Sequence, residues 1–280
     1  MNFTKPQIKC LLASLMLILV VHNSYAGGFP VRPKRLLLSP SISYFYANKN
    51  WDSLRNKNLF PQGGQFTSLG VSLYAEYGLT RRFTLVSLLP YVNNTYEDNT
   101  SRTVSKGFTD FEFGVKYYLA NINYIYYFSL QGTFVTPLYT NPLLGYRQQG
   151  AEIKLSFAGS GKVFGKNCYF TAENGVRQYF GDQGPIQDRY NASFGLTLDK
   201  KFRHQISASF SGFYSASNFK SFSPILATNK NFAFNQASVT YGYTFNKRVS
   251  TFLSAGKFLN GRNTGAGSTA SVSFSVKPFR

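Results

Sequence analysis

Residues 108 to 119 read FTDFEFGVKYYL, and the two halves of that pattern separate cleanly. Phe111, Phe113, Val115 and Tyr117 fall on one parity, while Asp110, Glu112, Gly114 and Lys116 fall on the other. A period of two is the side-chain period of a β-strand, so the segment presents one apolar face and one charged face. A soluble sheet buries the apolar face, whereas a membrane barrel turns it to lipid and keeps the polar face inside. Alternation fits both, so strand length and connections have to choose.

The same phase recurs outward from this stretch. In Phe66 to Tyr77, Leu69, Val71, Leu73, Ala75 and Tyr77 oppose Ser68, Gly70, Ser72 and Glu76. In Ala151 to Ala158, Ala151, Ile153, Leu155 and Phe157 oppose Glu152, Lys154 and Ser156. Tyr190, Ala192, Phe194, Leu196 and Leu198 oppose Arg189, Asn191, Ser193, Gly195 and Thr197, and near the end Ala270, Val272, Phe274 and Val276 oppose a row of Thr269, Ser271, Ser273 and Ser275. Candidate strands fall near 36–46, 66–77, 83–93, 108–118, 123–135, 149–158, 168–180, 188–198, 203–215, 232–245, 249–258 and 265–276. Those near 83–93 and 249–258 alternate poorly. Such segments are longer than the ~5 to 6 residues of soluble strands and match the ~9 to 11 that cross a bilayer at a tilt. Connections are short at 78–82, 119–122, 199–202 and 246–248 and long at 47–65, 94–107, 136–148 and 216–231, with 159–167 an intermediate turn. Short turns at one end and long loops at the other are the outer-membrane arrangement. The expected fold is all-β, a transmembrane up-and-down antiparallel barrel of about twelve strands.

Composition agrees with that expectation. Aromatic residues make up 18% of the chain although mean hydropathy is only -0.19, because a barrel carries its apolar residues at every second position. Lys5 and Lys9 precede an apolar run from Leu11 to Val21, too short to span as a helix, and Ser24-Tyr25-Ala26 follows. This is the pattern of an export signal cleaved between Ala26 and Gly27, leaving 27–280 as the barrel. Cys10 would leave with the signal and Cys168 would then have no disulfide partner.

Basic residues outnumber acidic ones 30 to 11. They are scattered over turns (Arg81-Arg82, Lys200-Lys201, Lys247-Arg248) and loops (Arg55, Arg102, Arg147), with no patch of the kind that binds nucleic acid. Outer-membrane lipid and lipopolysaccharide are the expected partners. Catalysis finds no support in the pattern. His204 sits beside Lys200, Lys201 and Arg203 at an inner turn, no His or Cys cluster offers a metal site, and Gly159-Ser160-Gly161-Lys162 lacks the spacing of a phosphate-binding loop. No cofactor is implied, and the oligomeric state is left open.

Two stretches carry a family resemblance: Tyr74-Ala75-Glu76-Tyr77-Gly78-Leu79-Thr80-Arg81-Arg82-Phe83, continuing to Leu89-Pro90-Tyr91, and Gly107-Phe108-Thr109-Asp110, leading to Gly114-Val115-Lys116-Tyr117. They resemble the XagA-like outer-membrane barrels, a group that includes proteins assigned to meta-pathway phenol degradation. Gly27-Gly28-Phe29-Pro30 is similar too, with Phe29 where that family more often has Trp. The resemblance implies a barrel that transports small, often hydrophobic molecules, and it carries over no catalytic residue.

The ionisable residues expected on lumen faces are Glu76, Asp110, Glu112, Lys116, Glu152, Lys154, Glu173, Arg177 and Arg189. Either opposite charges pair to close the interior, or some line a water-filled path and bias which small solutes pass. The first expectation for function is therefore a passive channel or transporter. The alternative is a closed structural or adhesion barrel whose outer loops bind a partner, with Trp51, Leu54, Leu59 and Phe60 folding inward as a plug or outward as a contact.

Overall fold

The computed structural model describes residues 31–278, so the export signal expected at 1–26 lies outside the described residues. Twelve strands follow one another around the wall: β1 (Leu36–Ala47), β2 (Gln65–Gly78), β3 (Phe83–Glu97), β4 (Arg102–Phe108, resuming as Asp110–Ile122), β5 (Tyr126–Pro137), β6 (Gly150–Val163), β7 (Lys166–Tyr179), β8 (Ile186–Thr197), β9 (His204–Ala216), β10 (Phe232–Thr244), β11 (Val249–Arg262) and β12 (Ser268–Val276), and three short segments, Lys49–Trp51, Lys57–Leu59 and Thr264–Gly265, form a separate small sheet. Each wall strand pairs antiparallel with the next, and β12 returns to β1 in a ladder from Leu38↔Val276 to Tyr46↔Ser268. The sheet is a closed twelve-stranded barrel. All twelve expected strands are present, including the two with poor alternation.

The interruption in β4 has a local cause. Its two segments pair with the same neighbour, from Glu97↔Arg102 to Tyr91↔Phe108 and from Leu88↔Glu112 to Phe83↔Tyr117. Opposite the break stands Pro90 on β3, which has no N–H to give to the ladder. Thr109 N–H still donates to the Pro90 carbonyl at 3.0 Å, so the strand jogs without leaving the wall.

Three expected connections are corrected, the simplest being 119–122, which is strand, the turn lying at 123–125. Residues 94–107 are not a long loop: β3 and β4 continue as a ladder through Asn93↔Lys106 and Thr95↔Val104 to a tight turn at 98–101, and Arg102 is a strand residue. Asp98 Oδ1 accepts from the N–H groups of Thr100 at 2.8 Å and Ser101 at 2.7 Å. Those bonds, the Thr100 backbone N–H first, hold its carboxyl below the usual carboxylate range. The turn expected over 159–167 shrinks to Phe164 and Gly165, with φ of 49° and 73°, the positive pair that a two-residue hairpin turn requires. Gly159, which resembles a turn former, is instead a strand residue. A Cβ there would meet the Phe170 ring at 2.4 Å, so the glycine makes room for that ring.

The residues on the two faces are sorted inversely to a soluble protein. Phe113 is 49% exposed, Ile153 66% and Val239 55%, while Thr84, Ser129, Gln131, Ser156 and Gln187 are buried. Closure and this inversion set aside the soluble sandwich.

One consequence can be tested directly. Phe113→Arg places a charge on the lipid face and should cost about 2–4 kcal/mol if near the bilayer midplane, seen as a lower folded yield in liposomes. Ser209→Ala, on the inner face, should assemble at the wild-type yield. The reverse ranking would mean that the faces are assigned the wrong way round.

Candidate functional site: the barrel interior

The nine ionisable residues singled out in the sequence fall into three ion-paired groups and one outlier. Glu76 on β2 and Lys116 on β4 form a buried pair, with side chains 6% and 8% exposed. Arg177 on β7 donates from Nη2 to Glu112 Oε1 at 2.6 Å and from Nε to Glu152 Oε2 at 2.7 Å. Arg189 on β8 adds a bond to the same Glu152 oxygen at 3.0 Å and approaches Glu112 at 3.7 Å. Lys154 on β6 and Glu173 on β7 make a half-exposed pair at 3.5 Å. Asp110 accepts from the Tyr179 hydroxyl at 2.8 Å.

Glu112 and Arg177 stand on strands three apart in the ladder, so they meet across the concave side of the wall. A pair this dry repays its desolvation only when its remaining polar atoms are also bonded. Tyr74 supplies one such bond, donating to Glu76 at 2.5 Å, and Tyr179 accepts from Arg177 Nη1 at 3.4 Å. Neither tyrosine was among the candidates. Parity was the available signal, since Tyr74 shares it with Glu76 and Tyr179 with Arg177, but an aromatic ring at a polar position reads as broken alternation.

The opposite wall has a different chemistry. On β9 to β12 and on β1 and β2 the inward parity carries hydroxyls, one per strand being Ser209, Thr240, Ser254, Ser273, Ser43 and Ser72. They bond laterally, as in Ser41 to Ser72 at 2.8 Å and Thr240 to Ser254 at 3.0 Å. At this level the side chains are short, whereas toward the loop ends the same parity carries phenylalanines packed ring to ring, Phe213 on Phe234 at 5.8 Å, Phe234 on Phe258 at 4.2 Å and Phe258 on Phe45 at 5.1 Å. The interior is thus split into a charge-paired half and a hydroxyl half.

Loops cross the outer mouth. Segment 217–231 places Phe222, Ile225 and Leu226 against a cluster of Ala47, Phe60, Phe66 and Tyr96 at the ends of β1 to β3. Segment 138–149 places Tyr146 on the β7 side, its ring 4.9 Å from Tyr179 and edge-on to it. The two segments are tied together where the Tyr146 hydroxyl donates to the Asn229 carbonyl at 2.7 Å. Burial pushes that hydroxyl's pKa well above the usual tyrosine range. In the first outer loop Trp51 and Phe60 are buried, and Leu54 and Leu59 point to solvent.

No family model matches the chain, and no curated protein matches it. Solved structures do. An outer membrane channel from Pseudomonas putida F1 aligns with a TM-score of 0.68 at 11% identity, covering 91% of this chain and 100% of that chain. The translocator domain of the autotransporter NalP from Neisseria meningitidis aligns with a TM-score of 0.50 at 8% identity, covering 97% and 94%. At such identity the likeness is one of fold, and that fold is the outer-membrane β-barrel.

The buried pair makes a direct prediction. Glu76→Gln strands the Lys116 charge and should lower stability by about 3–5 kcal/mol, read as a lower temperature at which the folded gel band is lost. Glu76→Gln with Lys116→Met should recover most of the loss. A single variant as stable as wild type would mean that water reaches Lys116.

Proposed function

We propose that the chain is an outer-membrane barrel through which small solutes pass passively, along the hydroxyl wall. The observation that carries this reading is the split interior. Charges on one half neutralise one another, while the other half is lined at mid-height by short hydrogen-bonding side chains, with a ring-to-ring tier of Phe213, Phe234, Phe258 and Phe45 toward the loop ends. Gln131 Oε1 and Ser156 Oγ, buried on the charged half, have no protein partner, and hydration would satisfy them. Because the nine ionisable groups mostly compensate one another, discrimination by charge should be weak. Neutral polar solutes fit best. The apolar side chains at the mouth, Phe222, Ile225 and Leu226, add a contact for solutes with a hydrophobic part.

The rest of the reading follows from the same premises. Residues 1–26 act as the export signal and 27–280 form the barrel; its apolar belt meets outer-membrane lipid and lipopolysaccharide. Membership of the XagA-like group rests on the motifs around Tyr74 to Tyr91 and Gly107 to Tyr117. The P. putida neighbour is itself described as a channel, which supports transport over catalysis. His204 pairs its Nδ1 with the Tyr241 hydroxyl at 2.6 Å, away from the paired interior. A second reading, a closed barrel that presents its loops to a partner, is favoured by one observation, the Tyr146–Asn229 tie across the mouth.

Conductance in planar bilayers, combined with swelling of liposomes in neutral sugars, separates the two. The wild type should conduct, with a reversal potential close to that of an unselective pore. Ser43→Trp with Ser209→Trp should cut the current several-fold without changing heat-modifiable mobility. Deleting 219–227 should raise it. No current from either the wild type or the deletion would reject the channel and leave the closed barrel.

A further inference from the structure

The outer wall carries a feature that neither pairing nor transport uses. A crevice of about 300 Å³ lies over β8 to β11 toward their loop ends, bordered by Arg55, Asp188, Tyr190, Tyr214, Asn235 and Asn260. Strand phase turns six of its nine strand residues to the lipid side, while Phe213, Phe234 and Gly261 between them have the inward parity. Asp188 and Tyr190 share parity with exposed Phe194, Tyr214 with exposed Phe210, and Asn235 with exposed Val239. Immediately toward the inner turns those same faces are apolar, so the crevice sits on the loop-side border of the apolar belt.

That border is built rather than merely polar. A row of hydrogen bonds runs across the outside of the wall: Asn174 Nδ2 donates to Asp188 Oδ1 at 2.6 Å, the Tyr190 hydroxyl donates to Asn235 Oδ1, and Asn235 Nδ2 donates to Asn260 Oδ1 at 2.9 Å. Gly212 lets Tyr190 lie flat across β9, since a Cβ there would collide with the tyrosine hydroxyl and with Asn235 Oδ1. A register shift at Asn235/Gln236 pairs Gln236 with Phe258 and Asn235 with Asn260, leaving Leu259 extra and widening the wall at this level. Two cations flank the row. Arg55 stands at the rim, and Arg262 lies 5.3 Å over the Tyr214 ring, donates from Nη2 to Asn231 at 2.8 Å and keeps a buried Nε without a protein partner.

Amides, a carboxylate and an aromatic face are the groups that hold sugar hydroxyls and sugar rings, and guanidinium is the group that holds phosphate. Buried hydrogen bonds facing lipid are costly unless the layer beside them is itself polar. We propose that this crevice seats the phosphorylated saccharide headgroup of an outer-leaflet glycolipid, lipopolysaccharide, with Arg55 and Arg262 on phosphate and Asp188, Asn235 and Asn260 on the sugar. This rests on the outer-membrane reading and adds to it a specific lipid site, independent of whether the barrel conducts.

The test uses the purified full-length barrel in detergent with diphosphoryl lipid A, its dephosphorylated form, or phosphatidylglycerol, with retained lipid read by native mass spectrometry. Wild type should keep diphosphoryl lipid A at least tenfold better than either of the others. Arg55→Gln with Arg262→Gln should lose that margin, and so should Asn235→Leu with Asn260→Leu, with heat-modifiable mobility, and conductance in bilayers free of lipid A, as in wild type. If the asparagine variant fails to assemble, the arginine variant, which leaves the hydrogen-bonded row intact, decides alone. Equal retention by the arginine variant and wild type would overturn the site, as would equal retention of phosphatidylglycerol and lipid A. Loss of heat-modifiable mobility in the wild type would instead fail the membrane reading beneath it.

Discussion

Everything in this structure depends on the ladder between the first and last strands. Inside a bilayer no water is available for backbone N–H and C=O groups, so a sheet can span only if it has no edge. Here β1 is held on both sides, Leu38 opposing Ala75 of β2 and Val276 of β12. Without the β12 contact, β1 and β12 would each expose a row of unpaired groups to lipid. Two prolines interrupt the wall: Pro90 is accommodated by a break in the neighbouring strand, and at Pro40 the closing ladder skips from Leu38↔Val276 to Ser41↔Ser273, yet both ladders resume and closure holds.

Closure then dictates what the side chains do. A closed sheet has one convex and one concave face, and lipid takes the convex one, so polar residues of every strand are gathered into one narrow space. Charges placed there lose most of their hydration and must find counter-charges. Arg177 illustrates the result, lying between Glu112 and Glu152 with Tyr179 completing its shell. Serines and threonines have no such obligation. A barrel whose charges are confined to one arc can leave the other arc lined by short neutral groups, which is why pairing of charge and an open path are compatible in the same interior.

This division explains which parts were legible in the sequence. Facing was legible wherever apolar and polar residues alternate, as in Phe111 to Lys116, because a strand's period is local. The reach of β3 and β4 to Asp98 was not, since Asn93, Asn94, Thr95 and Lys106 have no apolar face and a ladder above the membrane needs none. Partner choice inside the barrel was also hidden. Glu112 and Arg177 are 65 residues apart, and only curvature brings them together. The tie between Tyr146 and Asn229, across 83 residues and two loops of unremarkable composition, had no local signal at all.

The mouth and the outer crevice are connected by the same chain segments. The hairpin that carries Arg55 also carries Trp51, whose strand pairs with Thr264 and Gly265 just beyond Arg262. Phe60, at the base of that hairpin, belongs to the cluster against which Leu226 of the crossing loop packs. A headgroup held by Arg55 and Arg262 would therefore grip both ends of the small sheet on which the mouth loops rest. Ordering that sheet restrains the loops, because Gly265 has no Cβ and Leu226 lies 2.7 Å from where one would stand. The proposed lipid site outside and the proposed solute path inside would thus share one support through contact rather than distance, and a bound glycolipid would act on the mouth by stiffening it.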